Sequence, residues 1–161
     1  MCGYPAEVRR SCLLWMVSLY RAHIDDSGRG QEPVFVLAGF IATIDQWVNF
    51  TDEWSEALRS IRRLDYFKMK EAAAIEGQFR GWSEPERNNL LLQMVDIIER
   101  NVIAGVCSVI RHDDYRTVFK RRVSKAMDTP YFLSFYSIMS VAHRFQHRTK
   151  NTGPVDFIFD E

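Results

Sequence analysis

Cysteine is scarce in this chain of 161 residues, which carries only Cys2, Cys12 and Cys107. These three lie far apart and form no C-x-x-C pair, so the sequence contains neither a disulfide framework nor a zinc-binding spacing. Isolated thiols of this kind are typical of proteins in a reducing compartment. We therefore predict a cytoplasmic protein without structural disulfides.

Long apolar runs are missing as well. The best candidate, residues 12–19, falls far short of the roughly 20 residues that a membrane-spanning helix needs. It follows Arg9 and Arg10, as the apolar part of a secretory signal does, but cleavage behind it would cut at or beside the strand that carries Asp25. We predict no membrane span and no membrane partner.

The glycine-rich loops of nucleotide-binding proteins are also absent from the sequence. Gly28-Arg29-Gly30 lacks the third glycine and the helix of a dinucleotide fingerprint, and there is no P-loop. Ser27 lacks the G-x-S-x-G surroundings of a serine nucleophile. Basic and acidic side chains number 21 each, so no net charge indicates a partner. These absences argue against nucleotide-dependent enzymes and serine hydrolases.

What the chain does contain is enough apolar surface for one globular domain. Hydrophobic residues make up 47% of the sequence, and its length suits a single core better than two. Residues 1–15 show little connection to the rest, and Met16 would be a natural start. We expect an N-terminal extension over residues 1–15 and a domain over residues 16–161.

Local patterns predict the first elements of this domain. A short strand leads to Asp25, and residues 33–41 form a second strand in which Gly39 indicates a bulge or a close backbone approach. The short connection between them favours a hairpin. An amphipathic helix then extends to about residue 63, and residues 64–69 are a candidate short strand.

The second half of the chain continues with helices and strands in alternation. Ser83 and Glu86 form a capping box at the start of a helix whose predicted buried side chains include Leu91 and Val95. Residues 102–110 are apolar almost throughout, which is typical of a central strand covered on both faces. Because helices between strands permit parallel crossovers, we predict an α/β fold with a mixed, mainly parallel central sheet and helices on both faces.

Two acidic pairs stand at the ends of predicted strands. Asp25 and Asp26 precede a glycine turn, and Asp160 and Glu161 end the last apolar stretch. Carboxylate oxygens suit Mg²⁺ or Mn²⁺, and open α/β sheets bind ligands at the carboxyl ends of their strands. Since side chains alternate along a strand, one member of each pair is expected to bind metal directly. The alternative is ordinary turn chemistry and a solvated acidic end.

A basic region separates the two acidic pairs. Residues 111–150 carry nine Lys and Arg side chains against three Asp, and Arg121, Arg122 and Lys125 lie at the centre of this region. Such a region attracts polyanions, and these three side chains are candidates for contact with nucleic-acid phosphates. The alternative is a solvated helix face.

Two other polar pairs are weaker candidates for a site. Asp113 or Asp114 is expected either to cap a helix or to form a further acidic strand end. His143 and His147 stand four residues apart, which is ligand spacing on a helix, but their arginine neighbours would repel a cation. We expect these histidines to be structural or to face phosphate.

Five motifs occur in order along residues 20–161. They are Ile24-Asp25-Asp26-Ser27-Gly28, Val36-Leu37-Ala38-Gly39, Tyr66-Phe67-Lys68-Met69-Lys70-Glu71, Gly77-Gln78-Phe79-Arg80-Gly81-Trp82 and Phe157-Ile158-Phe159-Asp160-Glu161. Together they resemble the bacterial and phage family known as domain of unknown function 3800. The first and last motifs are the most specific.

The resemblance implies an RNase H-like fold and, by analogy with that fold, a metal-dependent phosphodiesterase. Asp25 would occupy the first-strand aspartate position and Asp160 a later strand-end position. The resemblance also implies a mobile-element or antiphage setting. Two departures from the family pattern stand out. Lys68 occupies a position where relatives carry a histidine. Relatives also continue beyond Glu161, so we expect a domain that is incomplete at its C-terminus.

The sequence therefore predicts a nuclease that uses Mg²⁺ or Mn²⁺ held by Asp25 and Asp160. The predicted catalytic residues are Asp25, Asp26, Glu71, Asp160 and Glu161, and the predicted nucleic-acid contacts are Arg121, Arg122 and Lys125. The alternative is a catalytically inactive nucleic-acid-binding or regulatory module of the same fold. A third alternative is a defective fragment without a function.

Overall fold

The computed structural model describes residues 20–28, 32–125, 127–149 and 153–159. Two compact units divide the chain: a sheet unit within Met1–Thr43 and Ala104–Glu161, and a helical unit over Ile44–Ile103. The elements are β1 (Tyr20–Ser27), β2 (Val34–Thr43), α1 (Ile44–Ser60), α2 (Met69–Ala74), a 3₁₀ turn (Gly77–Phe79), α3 (Glu84–Asn101), β3 (Ala104–Arg111), α4 (His112–Asp114) with a π-helical turn (Tyr115–Phe119), α5 (Pro130–Arg148) and β4 (Val155–Phe159). None of the helices within the described ranges has the length and apolar character needed to cross a bilayer.

Four strands form one open sheet in the order β3-β2-β1-β4. β2 is antiparallel to both β1 and β3, whereas β4 is parallel to β1. The predicted α/β class and mixed sheet are confirmed. The prediction that the sheet is mainly parallel is wrong, because two of its three strand pairings are antiparallel.

The two antiparallel pairings follow from how their strands are connected. Gly28 has a φ of 81°, and a Cβ there would lie 2.0 Å from Val34 O, so the turn after β1 requires glycine. This turn closes the predicted hairpin. Between β2 and β3 the chain forms the helical unit and re-enters the sheet where it left, since Ile41 pairs with Ala104. The helices between these strands therefore do not make the predicted parallel crossover.

α5 packs against one face of the sheet. Thr129 Oγ1 accepts a hydrogen bond from Phe132 N at 3.2 Å, and Pro130 occupies the first turn, so the helix begins with ordinary start signals. Removing the facing side chains from water stabilises this unit through the hydrophobic effect. The buried side chains of this core are Ala22, Ile24, Phe35, Leu37, Ile41, Val106, Ile138 and Ala142. Helices on both faces of the sheet stay a prediction.

β3 lies at one end of the described strand order, so the prediction of a central strand is wrong. Burial alternates along it: Val106 and Ser108 are buried, whereas Cys107 is exposed and Val109 is 59% exposed. One face of β3 thus contributes to the core, as in a half-buried antiparallel strand. The apolar run alone did not reveal this alternation.

The helical unit has a core of its own. Ser83 and Glu86 form the predicted capping box at the start of α3. The buried side of α3 carries Leu90, Met94 and Ile97, whereas the predicted core residue Val95 is 48% exposed. The buried residues of this core are Ala57, Leu64, Ala72, Phe79, Trp82, Leu90, Met94 and Ile97.

Residues 64–69 do not form the predicted strand. Leu64 is buried, and its N–H donates to Leu58 O at 2.8 Å as the chain leaves α1. Phe67 contacts both Trp54 and Phe79 edge to face, with ring centroids 5.9 and 6.0 Å apart. The apolar residues of this segment thus fix a loop by packing, without a neighbouring strand.

Candidate functional site

Asp25 and Asp26 lie near the carboxyl end of β1 and belong to opposite faces of the sheet. Asp26 pairs with Leu37 of the buried face, whereas Asp25 pairs with Ala38 and is exposed. Asp25 Oδ1 accepts a hydrogen bond from the backbone N–H of Asp26 at 2.7 Å. The predicted alternation of the two carboxylates is therefore present, and Asp25 is the one on the exposed face.

β4 lies directly beside β1 and runs in the same direction. Ile24 pairs with Phe159, and His23 pairs with Ile158, so the carboxyl ends of both strands lie at the same edge of the sheet. This is the strand arrangement that the predicted metal site needs. Asp160 and Glu161 themselves lie outside the described residues.

The carboxyl end of β3 also lies at this edge, because β1 and β3 are both antiparallel to β2. His112 follows β3 immediately. Its Nε2 lies 3.0 Å from Gly28 O, so the imidazole donates a hydrogen bond to the turn that follows β1 in the sequence. Its backbone N–H donates to Pro33 O at 3.1 Å. His112 thus holds both ends of this turn. Sequence reasoning missed this residue, and its position directly behind a strand was the available signal.

The side chains of Asp113 and Asp114 make no capping hydrogen bond, so the helix-cap alternative is wrong, but both residues follow shortly after the end of β3. The residue at the N-cap position of α4 is Arg111, and both aspartates lie within the first turn. Asp113 pairs with Arg116, and Asp114 Oδ2 lies 3.8 Å from Arg111 Nε. Within the described ranges, no three His, Cys, Asp or Glu side chains come together as a metal-binding group.

Glu71 belongs to the helical unit and binds its own neighbours there. Its Oε2 accepts a hydrogen bond from the N–H of Gln78 at 2.9 Å, and its Oε1 accepts from the Tyr66 hydroxyl at 3.2 Å. Gly77 has a φ of 55°, and a Cβ there would lie 2.1 Å from Glu71 Oε2. Lys68 Nζ lies 4.9 Å from the centre of the Tyr66 ring. These contacts give Glu71 a structural role; its catalytic role stays a prediction.

Arg121, Arg122 and Lys125 are exposed in the basic loop, residues 120–125. Asp128 anchors this loop, because its Oδ1 accepts from the Tyr115 hydroxyl at 2.6 Å and its Oδ2 accepts from Arg121 N at 3.1 Å. The hydrogen bond from Tyr115 is the main cause of the lowered pKa of Asp128. The basic loop therefore combines exposed cations with a fixed attachment to the sheet unit.

Replacing Tyr115 by phenylalanine is expected to loosen the basic loop. Burial of the hydroxyl raises the pKa of Tyr115 most, and the hydrogen bond to Asp128 and its negative charge add to this effect. Together they raise it from 10.0 to about 12. The folded state thus favours the neutral phenol, and the wild type should lose stability as the pH rises from 10 towards 12. Tyr115→Phe should remove that part of the pH dependence and speed amide exchange in residues 120–125. Unfolding measurements across this pH range would test the first effect, and hydrogen exchange near neutral pH would test the second.

Tyr136→Phe is the matched control for this experiment, because Tyr136 is 52% exposed on α5. It should leave amide exchange in the basic loop and the alkaline stability profile unchanged. Equal exchange in wild type and Tyr115→Phe would show that Asp128 does not anchor the loop through this hydroxyl.

A groove of about 460 Å³ opens on the face of the sheet that carries Asp25. The side chains of His23, Phe40 and Ile158 form one row across β1, β2 and β4, since His23 pairs with both of the others. Asp25 and Ala38 form the next row towards the carboxyl end of β1. Because Ala38 is small, space remains beside Asp25, and all five residues line the groove.

His23 is the titratable neighbour of Asp25 in this groove. Partial desolvation is the larger cause and repulsion from Arg21 the smaller cause of a pKa of His23 below its ordinary value of 6.5. The neutral imidazole is therefore favoured near neutral pH. The groove thus combines a carboxylate, an imidazole and apolar side chains.

Comparisons with known proteins add no relative: no family model, no curated protein and no solved structure matches the chain. The resemblance to the domain of unknown function 3800 family stays a prediction.

Proposed function

We propose that this protein is a Mg²⁺- or Mn²⁺-dependent phosphodiesterase of RNase H-like fold that acts on nucleic acid. The observation that carries the proposal is the parallel pairing of β1 with β4, which brings the ends of two acidic strand segments to the same sheet edge. Open sheets bind ligands at such edges. The strand order β3-β2-β1-β4, with β4 parallel to β1, is compatible with an RNase H-like sheet.

The strand register supports a specific pair of metal ligands. Ile24 pairs with Phe159, the residue that precedes Asp160 in the sequence. We propose that Asp25 and Asp160 are the metal ligands and that Asp26 and Glu161 support them.

The fit to a metal ion rests on few described groups. Asp25 supplies an exposed carboxylate beside open space, which suits a divalent cation, whereas Asp160 lies outside the described residues. A bound Mg²⁺ or Mn²⁺ supplies Lewis acidity and a water of lowered pKa. The chain itself contributes the carboxylates that hold the ion. Its exposed basic side chains, Arg121, Arg122 and Lys125, are the proposed phosphate contacts.

The second candidate function is a nucleic-acid-binding or regulatory module without catalysis. Two observations favour it: the described residues contain no metal-binding group of three side chains, and both carboxylate oxygens of Glu71 already accept hydrogen bonds. Lys68 in place of a histidine also supports this candidate. In this reading the basic loop binds phosphates, and Asp25 has no chemical role.

Measurements of metal binding, hydrolysis and oligonucleotide binding on the intact chain separate these candidates. Isothermal titration with Mn²⁺ should show binding if the carboxylates hold a cation, and a chromogenic phosphodiester should be hydrolysed with Mn²⁺ but not with excess chelator. Single-stranded and duplex oligonucleotides should be assayed in parallel for cleavage. Oligonucleotide binding without Mn²⁺ heat or hydrolysis would support the binding module and refute the phosphodiesterase.

A further inference from the structure

Phe40 is an aromatic side chain on the exposed face of the sheet, where it borders the groove that contains Asp25. It is 39% exposed and contacts no other aromatic ring in the described part of the chain. On its other side the ring lies over Gly105 of β3, because a Cβ built on Gly105 would be 3.6 Å from Phe40 Cε1. The backbone of β3 thus supports the ring.

A small residue leaves space in the groove beside Phe40, because Ala38 adds only a methyl group next to Asp25. The resulting space of about 460 Å³ is bounded by Phe40, His23 and Ile158 in one row and by Asp25 in the next. It has an apolar aromatic end and an anionic end.

We propose that this groove binds one nucleobase of a single-stranded nucleic acid. The base stacks on the Phe40 ring, and the adjoining phosphate lies at the Asp25 end of the groove. The inference rests on the proposed function, since a cation at Asp25 is what makes that end attractive to a phosphate. Exposed aromatic rings on a four-stranded sheet are a recurring platform for unpaired bases.

Single-stranded nucleic acid is the occupant that the chemistry favours. Every base presents a π-face, so a stacking platform does not require a particular nucleotide sequence. Bases inside a duplex are already stacked and cannot lie flat on a sheet without being extruded, which costs energy.

The test measures affinity for a fluorescently labelled oligothymidine by anisotropy in a metal-chelating buffer and again with Ca²⁺. Phe40→Ala should raise the Kd about tenfold, in line with the loss of one stacked base, and Phe40→Trp should retain tight binding. Ala38→Leu fills the groove without removing the ring and should weaken binding to a similar extent. A duplex of the same length should bind more weakly and should not respond to Phe40→Ala.

Val109→Ala is the matched control, because Val109 is an exposed apolar residue on the same face of the sheet but does not line the groove. It should leave the Kd unchanged. Unchanged binding in both Phe40→Ala and Ala38→Leu, with melting temperatures like the wild type, would overturn the inference. A change in oligomeric state in Phe40→Ala without a change in Kd would overturn it as well, because the face would then bind a second copy.

The proposed function can fail separately from this inference. Hydrolysis of a small chromogenic diester needs no stacked base, so it reports on the phosphodiesterase separately from oligothymidine binding. A wild type that binds single strands through Phe40 but hydrolyses nothing keeps the base site and refutes the phosphodiesterase. A wild type that hydrolyses the diester but binds oligothymidine independently of Phe40 keeps the phosphodiesterase and refutes the base site.

Discussion

Replacing Gly39 by alanine is expected to unfold the sheet unit or to separate its two central strands. The added Cβ would lie 1.9 Å from His23 O and 2.8 Å from His23 C, far inside the distance that real Cβ atoms reach. These are backbone atoms of the neighbouring strand, so no side-chain rotation relieves the clash. We expect a loss of at least about 3 kcal/mol, at the upper end of the usual cost of overpacking.

Gly105→Ala is the matched control for this effect. It adds the same methyl group to β3, but the new Cβ would make ordinary contacts of 3.6 and 3.7 Å with the Phe40 ring. Its stability should stay within about 1 kcal/mol of the wild type. Urea unfolding with hydrogen exchange resolved by peptide would compare the two variants, and Gly39→Ala should lose protection in β1 and β2 in particular.

A double variant decides which atom causes the damage. The Cδ1 of Ile24 would also lie 2.7 Å from the new Cβ, so a clash with that side chain alone would be relieved in Gly39→Ala combined with Ile24→Ala. We expect no rescue, because the His23 carbonyl remains and the buried Ile24 leaves a cavity. Wild-type stability of Gly39→Ala would show that β1 and β2 do not approach this closely.

The close approach at Gly39 illustrates what the sequence predicts well. A glycine inside a strand pattern, a capping box at Ser83 and Glu86, and a tight turn behind β1 are local signals, and each was interpreted correctly. Each depends on residues a few positions apart, so the chemistry of neighbouring residues decides the conformation.

The direction and position of β3 depended on distant residues. Whether residues 44–103 act as a crossover or as a separate unit is decided by where their apolar side chains pack, and the pattern alone permits both. α3 shows the same limit on a smaller scale: Leu90 is fully buried, while Leu92 is 66% exposed. Leucines that follow one another along a helix do not identify the buried side by themselves.

The candidate site also combines local features that the sequence predicts with long-range contacts that it does not. Alternation along β1 correctly predicted that Asp25 and Asp26 diverge, because it is a property of any strand. The contact of His112 with Gly28 joins residues 84 positions apart, and the structural contacts of Glu71 depend on how a loop folds back. Residue type suggested chemistry at these positions, but only their packing reveals which atoms are already in use.

Asp25→Asn is expected to abolish metal-dependent hydrolysis with little effect on the fold. The amide is nearly isosteric with the carboxylate. It keeps an oxygen that can accept the 2.7 Å hydrogen bond from the backbone N–H of Asp26. Stability should therefore change by less than about 0.5 kcal/mol, as for an ordinary surface substitution. Loss of a proposed metal ligand should lower kcat/KM for a chromogenic diester at least about a hundredfold, since changes to residues that only orient metal ligands already cost about 10 to 100-fold.

Asp156→Asn supplies the control for this loss. Asp156 is exposed on β4 and pairs with Arg21, so it lies on the same face as Asp25 but towards the opposite ends of the two strands. It changes the net charge equally and should retain hydrolysis. Neutralising Asp25 also removes repulsion of phosphate, so a binding module would bind oligonucleotide more tightly in Asp25→Asn without any dependence on Mn²⁺. Hydrolysis that survives in Asp25→Asn would contradict the metal site, whereas its selective loss ties the reaction to the exposed face of β1.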